Sequence, residues 1–248
     1  MINFKPGLCS VSFRANTPAE IIKAVSEAGL LCIEWGSDVH VKCNDESAAA
    51  EIMALQAEYG ISTASYGTYF YLGRDSLDEL KDYIKTAKLI GADTLRLWCG
   101  EKSSSDFAPN EKTEFFEECK RAAAIAQKEN VILGMECHGG TYCDIPESCI
   151  ELMEAVNSPH FRMYWQPDII GDEAPNVESA RLLSEYTVNI HVHYWVDKKH
   201  YPLSEGIDKW KNYVSQHTPG KSVLLEFMPD GKIESLPLQA EALKKIIS

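Results

Sequence analysis

The chain lacks most of what would place it among binding, membrane or secreted proteins. It carries eight cysteines in 248 residues but no CxxC pair. Cys9, Cys32, Cys99 and Cys137 fall inside apolar runs, where a thiol acts as a small apolar filler. That pattern opposes a disulfide framework and suits a reducing compartment. No run of eighteen apolar residues occurs, and the opening MINFKPG has no apolar signal core. A cytoplasmic protein with no membrane partner is therefore expected. Basic charge is also short: 24 Lys and Arg stand against 37 Asp and Glu, a formal net charge of -13. Nucleic acid is thereby disfavoured as a partner, since phosphate neutralisation supplies most of that affinity. A glycine fingerprint is missing too. RANTPAE follows the first apolar run, where a doubly wound dinucleotide-binding sheet, the alternative architecture, would place GxGxxG. No linker or low-complexity stretch divides the chain, so residues 1–248 are read as one domain.

What is present is a regular alternation of short apolar runs and longer helical patterns. Strands are expected at Gly7 to Phe13, Leu31 to Trp35, Ile61 to Tyr66, Thr94 to Trp98, Val131 to Glu136, Phe161 to Gln166, Val188 to His193 and Ser222 to Phe227. Helix signals lie between them. Thr17-Pro18-Ala19-Glu20 and Ser76 to Glu79 are capping boxes, and Gly29, Gly60 and Gly91 are left-handed stops. Helices are also expected at Asp45 to Tyr59, Asn110 to Glu129, Pro146 to Val156, Val177 to Tyr186, Ile207 to Gln216 and Leu238 to Ile247. Eight βα units in a chain of this length predict an α/β fold, a single (β/α)8 barrel.

Chemistry in such a barrel collects at the C-terminal ends of the strands. Those ends carry Glu34 followed by His40, then Tyr66, Arg96 with Trp98, Glu136 with His138, Gln166, His191 with His193, and Glu226. Charged groups at buried strand tips are costly unless paired. Glu136, His193 and Glu226, with an oxygen donor from the sixth strand, form a mixed carboxylate and imidazole set. Such a set suits a divalent ion such as Mn2+, Mg2+, Co2+ or Zn2+. The bland readings are salt bridges and core histidines: Arg96 can simply neutralise Glu34 or Glu136. Alternation along HVH is taken to leave at most one of His191 and His193 facing the same way as a given neighbour.

The stretches IEWGSDVHV, ASYGTYFYLG, LRLWCG, LGMECHGGTYCD, YWQPD, IHVHYW, PLSEG and LLEFMPDG resemble the xylose isomerase-like TIM barrels, the sugar phosphate isomerase/epimerase superfamily, over essentially the whole chain. The resemblance implies metal ligands at Glu136, His193 and Glu226, with the two glutamates also moving the proton. It implies a base or substrate contact at His138. Gln166 takes the place of a metal-binding Asp, with Asp168 as the alternative ligand if the strand end shifts, and Ile169 takes that of a His. Arg96 resembles a substrate anchor; with Glu34, His40, Tyr66, Trp98, His191 and Trp195 it is expected to grip hydroxyls or a carboxylate. The implied activity is metal-dependent isomerisation or epimerisation of a small sugar or polyol-derived ketone. The alternatives are a dehydratase of inosose or dehydroshikimate type and a sugar-binding barrel without turnover. A homo-oligomer is compatible with the sequence.

Overall fold

The computed structural model describes residues 4–168 and 172–248. Eight parallel strands close a barrel: β1 (Lys5–Cys9), β2 (Cys32–Gly36), β3 (Ser62–Leu72), β4 (Thr94–Cys99), β5 (Ile132–Glu136), β6 (Phe161–Trp165), β7 (Thr187–Val192) and β8 (Ser222–Leu225). Neighbours in sequence are neighbours in the wall, and β8 closes on β1 through Leu8 paired with Leu225. The helices outside are α1 (Pro18–Glu27), α2 (Glu46–Tyr59), α3 (Leu77–Leu89), α4 (Pro109–Glu129), α5 (Pro146–Val156), α6 (Glu173–Leu183), α7 (Ile207–Val214) and α8 (Leu236–Ile247). None of the described helices is long and apolar enough to cross a membrane.

The local signals explain most boundaries. Thr17 and Ser76 cap α1 and α3 with reciprocal bonds from Glu20 and Glu79, and Gly60 ends α2 at φ 66. Three expectations shift. The first strand stops at Cys9, because Ser10–Phe13 turns into a 3-10 helix whose Ser10 Oγ accepts the Gly36 N–H at 2.9 Å. The third strand runs on to Leu72, with an irregular register between Gly67 and Tyr71. The sixth helix starts at Glu173; Pro175 lies in its first turn, where a missing N–H costs little. Ile169 lies outside the described residues.

The main core lies between wall and helices. Trp35, Tyr66, Phe70, Trp165 and Trp210 all point into it, and Trp35 donates to Gln56 Oε1 on α2 at 2.8 Å. With these five aromatics outside, the barrel interior near the C-terminal ends of the strands carries mostly polar residues, beside Tyr164 and Trp98.

Candidate active site

The period of two along a strand decides which side chains reach the interior. On β2, Cys32, Glu34 and Gly36 share one face, and Glu34 points inward. On β3 the inward residues are Ser65 and Gly67. Gly67 is required there: a Cβ would lie 2.7 Å from Glu34 Oε1. On β4 the inward residues are Arg96 and Trp98. Glu136 ends β5. Tyr164 and Gln166 follow each other on the inner side of β6, as do His191 and His193 on β7. Glu226 stands just beyond β8, its N–H donating to Val192 O at 2.8 Å.

Glu136 is the hub. Its Oε2 accepts from Arg96 Nη1 at 2.9 Å and from the Trp98 indole N–H. Its Oε1 accepts from Gln166 Nε2 at 3.2 Å. Arg96 also approaches Glu34, Nε to Oε1 being 3.7 Å. Burial alone would raise the Glu136 carboxyl, but Arg96, His191 and Trp98 more than reverse this and hold it well below the usual carboxylate range. Glu226 differs. Among the described residues no side chain donates a hydrogen bond to its carboxylate, and His191 Nδ1 lies 3.6 Å from its Oε2. Burial pushes Glu226 up to about 7; His191 and Arg96 oppose the rise, and Glu136 and Glu34 add to it.

Beneath these groups lies a fully enclosed layer. His191 Nε2 meets Glu34 Oε1 at 3.3 Å. Ser65 donates to Glu34 Oε2 at 2.7 Å and lies 3.0 Å from the Tyr164 hydroxyl. The Cys9 thiol lies within 4.8 Å of His191 and Glu34, and burial pushes that thiol up. Burial disfavours a charge on His191, yet Cys9, Glu226 and Glu34 outweigh it and hold its pKa well above the ordinary value. His193 is pushed down to about 3 by burial, with His191 and His200 adding to the effect.

The mouth above is aromatic. Trp98 packs on Tyr69, Tyr71 and His138, with ring centroids 5.4, 4.6 and 5.1 Å apart. Across the opening, a small hairpin of Trp195–Val196 and Lys199–His200 folds over. Trp195 lies 3.8 Å from the His200 ring. His200 in turn stacks on Phe227, which turns the chain after Glu226 at φ 60. Left-handed backbone is unusual for an aromatic residue, and Ser12 Oγ holds it by accepting the Phe227 N–H.

Of the residues expected from sequence, Glu34, Arg96, Trp98, Glu136, Gln166, His191, His193 and Glu226 meet inside the barrel, with Trp195 and His138 at the rim. His138 is exposed, bonded to the Gly139 carbonyl at 2.7 Å. Two expected substrate contacts are corrected. Tyr66 faces the helix layer, donating to Val41 O at 2.6 Å beside Tyr83, because Ser65 takes the inward position. His40 packs against Trp35 with Nδ1 2.9 Å from Ser10 Oγ, on the outer side of β2. The expectation about HVH also changes: residues two apart share a face, so both histidines point inward. Tyr69 reads from the sequence as a strand-end residue and His200 as a possible anion contact on a basic turn; Cys9 reads only as apolar filler, and Ser65, Tyr164 and Phe227 are not singled out. Parity alone reaches Tyr164, two residues before Gln166; nothing in the sequence flags the backbone of Phe227.

Glu136, His191 and Glu226 present ligand atoms within 4.8 Å of one another. His191 Nδ1 is buried without a hydrogen bond between the two carboxylates. That orphaned nitrogen among hard oxygen donors fits a divalent cation.

The chain belongs to the xylose isomerase-like TIM barrel family, whose model matches residues 22–216. A 3-dehydroshikimate dehydratase of Bacillus anthracis is 23% identical over 175 residues, spanning 64% of this chain and 60% of that relative. The fold is similar to the crystal structure of "the probable 3-DHS dehydratase AsbF involved in the petrobactin synthesis" from the same organism, with TM-score 0.81, 18% identity and coverage of 97% and 99% of the two chains. It is also similar to a D-allulose 3-epimerase from Methylomonas sp. in complex with D-allulose (TM-score 0.73, 12% identity, coverage 100% and 98%). A family member from Mycobacterium smegmatis, solved in complex with magnesium, aligns at TM-score 0.72 with 12% identity, covering 100% of this chain and 97% of that one.

Proposed function

We propose that the chain is an enzyme that moves a proton at a carbon next to a carbonyl, acting as an isomerase or epimerase on a small sugar or polyol-derived ketone. One observation carries this reading: two carboxylates share the end of the barrel, Glu136 with three hydrogen-bond donors and Glu226 with none among the described residues, and their surroundings push their proton affinities in opposite directions. Such splitting marks acid and base assignments. Glu136 is held ionised by Arg96, Trp98 and Gln166. Glu226, poised near neutrality and without a donor of its own among the described residues, takes up the substrate proton and returns it. Glu136, Glu226 and an imidazole of β7 would hold a divalent cation, which when bound polarises the substrate carbonyl. Trp98, Tyr69 and Trp195 wall the mouth and exclude water from the exchanging proton.

A second reading shares the first step. Where the carbon that loses its proton lies beta to a hydroxyl, water leaves and the enzyme is a dehydratase. The Bacillus anthracis relative favours this reading. Incubation of the protein with ketoses and with dehydroshikimate in deuterated water separates the two. Deuterium incorporation with an isomeric product supports the isomerase or epimerase. An unsaturated, ultraviolet-absorbing product supports the dehydratase. Tight sugar binding with neither outcome overturns both in favour of a binding protein.

A further inference from the structure

The small hairpin that leaves β7 and covers the mouth is built differently from the wall beneath it. Trp195 pairs with His200 and Val196 with Lys199, antiparallel, and the Tyr201 N–H closes the base on Tyr194 O at 2.9 Å. A two-residue turn of this kind takes left-handed backbone at its central positions, where Asn-Gly is usual. Here those positions are Asp197 and Lys198, at φ 49 and 62. Neither is the glycine that adopts this conformation without steric cost. A hairpin this short is marginal by itself, so contacts with the rim hold it down.

Residues paired across a hairpin project to the same side. Trp195 and His200 therefore share one face, and Val196 and Lys199 the other. Val196 and Lys199 are exposed, as is Lys198 in the turn. Trp195 and His200 turn to the barrel: the Trp195 ring lies 6.1 Å from that of His193, and His200 stacks on Phe227 at 5.2 Å. The face toward the site thus carries rings and no lysine. It also carries two polar atoms, Trp195 Nε1 and His200 Nε2, that are buried with no hydrogen-bond partner among the described residues. Water satisfies both when the hairpin opens, so closure without a ligand is disfavoured. An indole N–H only donates, and a histidine nitrogen donates or accepts according to its tautomer. Hydroxyl oxygens supply both partners. A carboxylate would meet the indole N–H but would be buried against a hairpin face with no cationic lysine on it, which is costly.

We propose that this hairpin is a lid closed by its ligand, and that Trp195 Nε1 and His200 Nε2 hydrogen-bond uncharged hydroxyls of the substrate away from the reacting carbon. This deepens, and rests on, the reading that the barrel end acts on a small hydroxylated ketone, and it favours ketoses over carboxylated ketones.

Amide hydrogen exchange of residues 194–201 in the whole protein tests this, with D-allulose as the uncharged probe and 3-dehydroshikimate as the carboxylated one. Saturating D-allulose is expected to slow exchange in the hairpin at least about tenfold, and 3-dehydroshikimate less than about twofold. Trp195→Phe keeps a ring and removes the N–H. Calorimetric titration with D-allulose is expected to show it binding about three- to tenfold more weakly, the weight of one hydrogen bond, while Lys199→Ala on the outer face stays within about twofold. Should circular dichroism show that Trp195→Phe fails to fold, His200→Phe, which keeps a ring on Phe227, takes its place. Equal hairpin exchange with and without D-allulose makes the hairpin a fixed rim and overturns the lid. Protection by 3-dehydroshikimate that matches or exceeds that by D-allulose overturns the choice of an uncharged ligand. Unchanged D-allulose affinity in Trp195→Phe overturns the assigned contact. In each case deuterium incorporation at the substrate carbon judges the proton-transfer reading separately.

Discussion

Two polar layers stack inside this barrel, and they solve burial differently. In the deeper layer, Glu34, Ser65, Tyr164 and Cys9 surround the Nε2 side of His191, and each Glu34 oxygen has a hydrogen-bond partner. In the upper layer, His193 Nδ1 and the Trp195 indole N–H are buried without hydrogen-bond partners, and His191 Nδ1 faces Glu136 and Glu226 without an aligned hydrogen bond. Native interiors rarely leave such groups unpaired. The deeper layer therefore reads as scaffold and the upper one as a site whose missing partners come from outside the chain. Substitutions in the upper layer should cost activity, and those in the deeper layer stability.

The largest expected effect is in the upper layer. Glu226→Gln keeps the volume and removes the proton acceptor. Deuterium exchange into substrate should fall by about 10²–10⁴-fold, the usual weight of a positioned acid or base, while far-ultraviolet circular dichroism is unchanged. Exchange at the unaltered rate would remove Glu226 from the chemistry.

Arg96 belongs to both layers, reaching Glu136 and Glu34 at once. Arg96→Met leaves two buried carboxylates without their cation. Breaking a buried pair on one side costs about 3–5 kcal/mol, read as a lowered urea midpoint. A shift of less than about 1 kcal/mol, as for a surface pair, would mean Arg96 is there for substrate alone.

How far these layers could be read in advance depended on parity more than on composition. Apolar runs, two capping boxes and the glycine stops place eight βα units, and Glu34, Arg96, Glu136 and Glu226 stand out as charges at buried strand tips. Tyr66 was misjudged because a strand-end position was read without asking which face it took; Ser65 faces inward. Gln166 takes the place of a metal-binding Asp in the sequence, but its amide orientation depends on Glu136, Cys137 O and His193, contacts between strands that no linear pattern displays. Cys9 looked like apolar filler, and only the closure of β1 on β2 and β8 brings it to His191.

The two layers should also separate by pH, with chelator present. The Glu226 carboxyl is raised from 4.5 to about 7 in the fold, so the folded state holds more protons than the unfolded one between these values. Its contribution to stability is complete below about 4.5 and is lost as pH rises through 7, at up to about 1.4 kcal/mol per pH unit. Glu34 and Glu136 have the opposite sign: their pKa values are depressed, and their contribution is lost as pH falls. Subtracting the stability profile of Glu226→Gln from that of the unchanged protein isolates the first effect. A flat difference between pH 4.5 and 7 would show that Glu226 is not held protonated by its surroundings.

The smallest effect sharpens the contrast most. Tyr164→Phe removes one hydroxyl from the deeper layer, the one 3.0 Å from Ser65 Oγ, and leaves the ring against His191 in place. Ser65 keeps its bond to Glu34, so the change costs one neutral hydrogen bond, about 1 kcal/mol. Exchange activity should stay within about twofold if the deeper layer only supports. A stability loss near 1 kcal/mol with unchanged exchange keeps the layers distinct. A tenfold fall in exchange at unchanged stability would merge them, because the Tyr164–Ser65–Glu34 chain would then be setting the chemistry through His191.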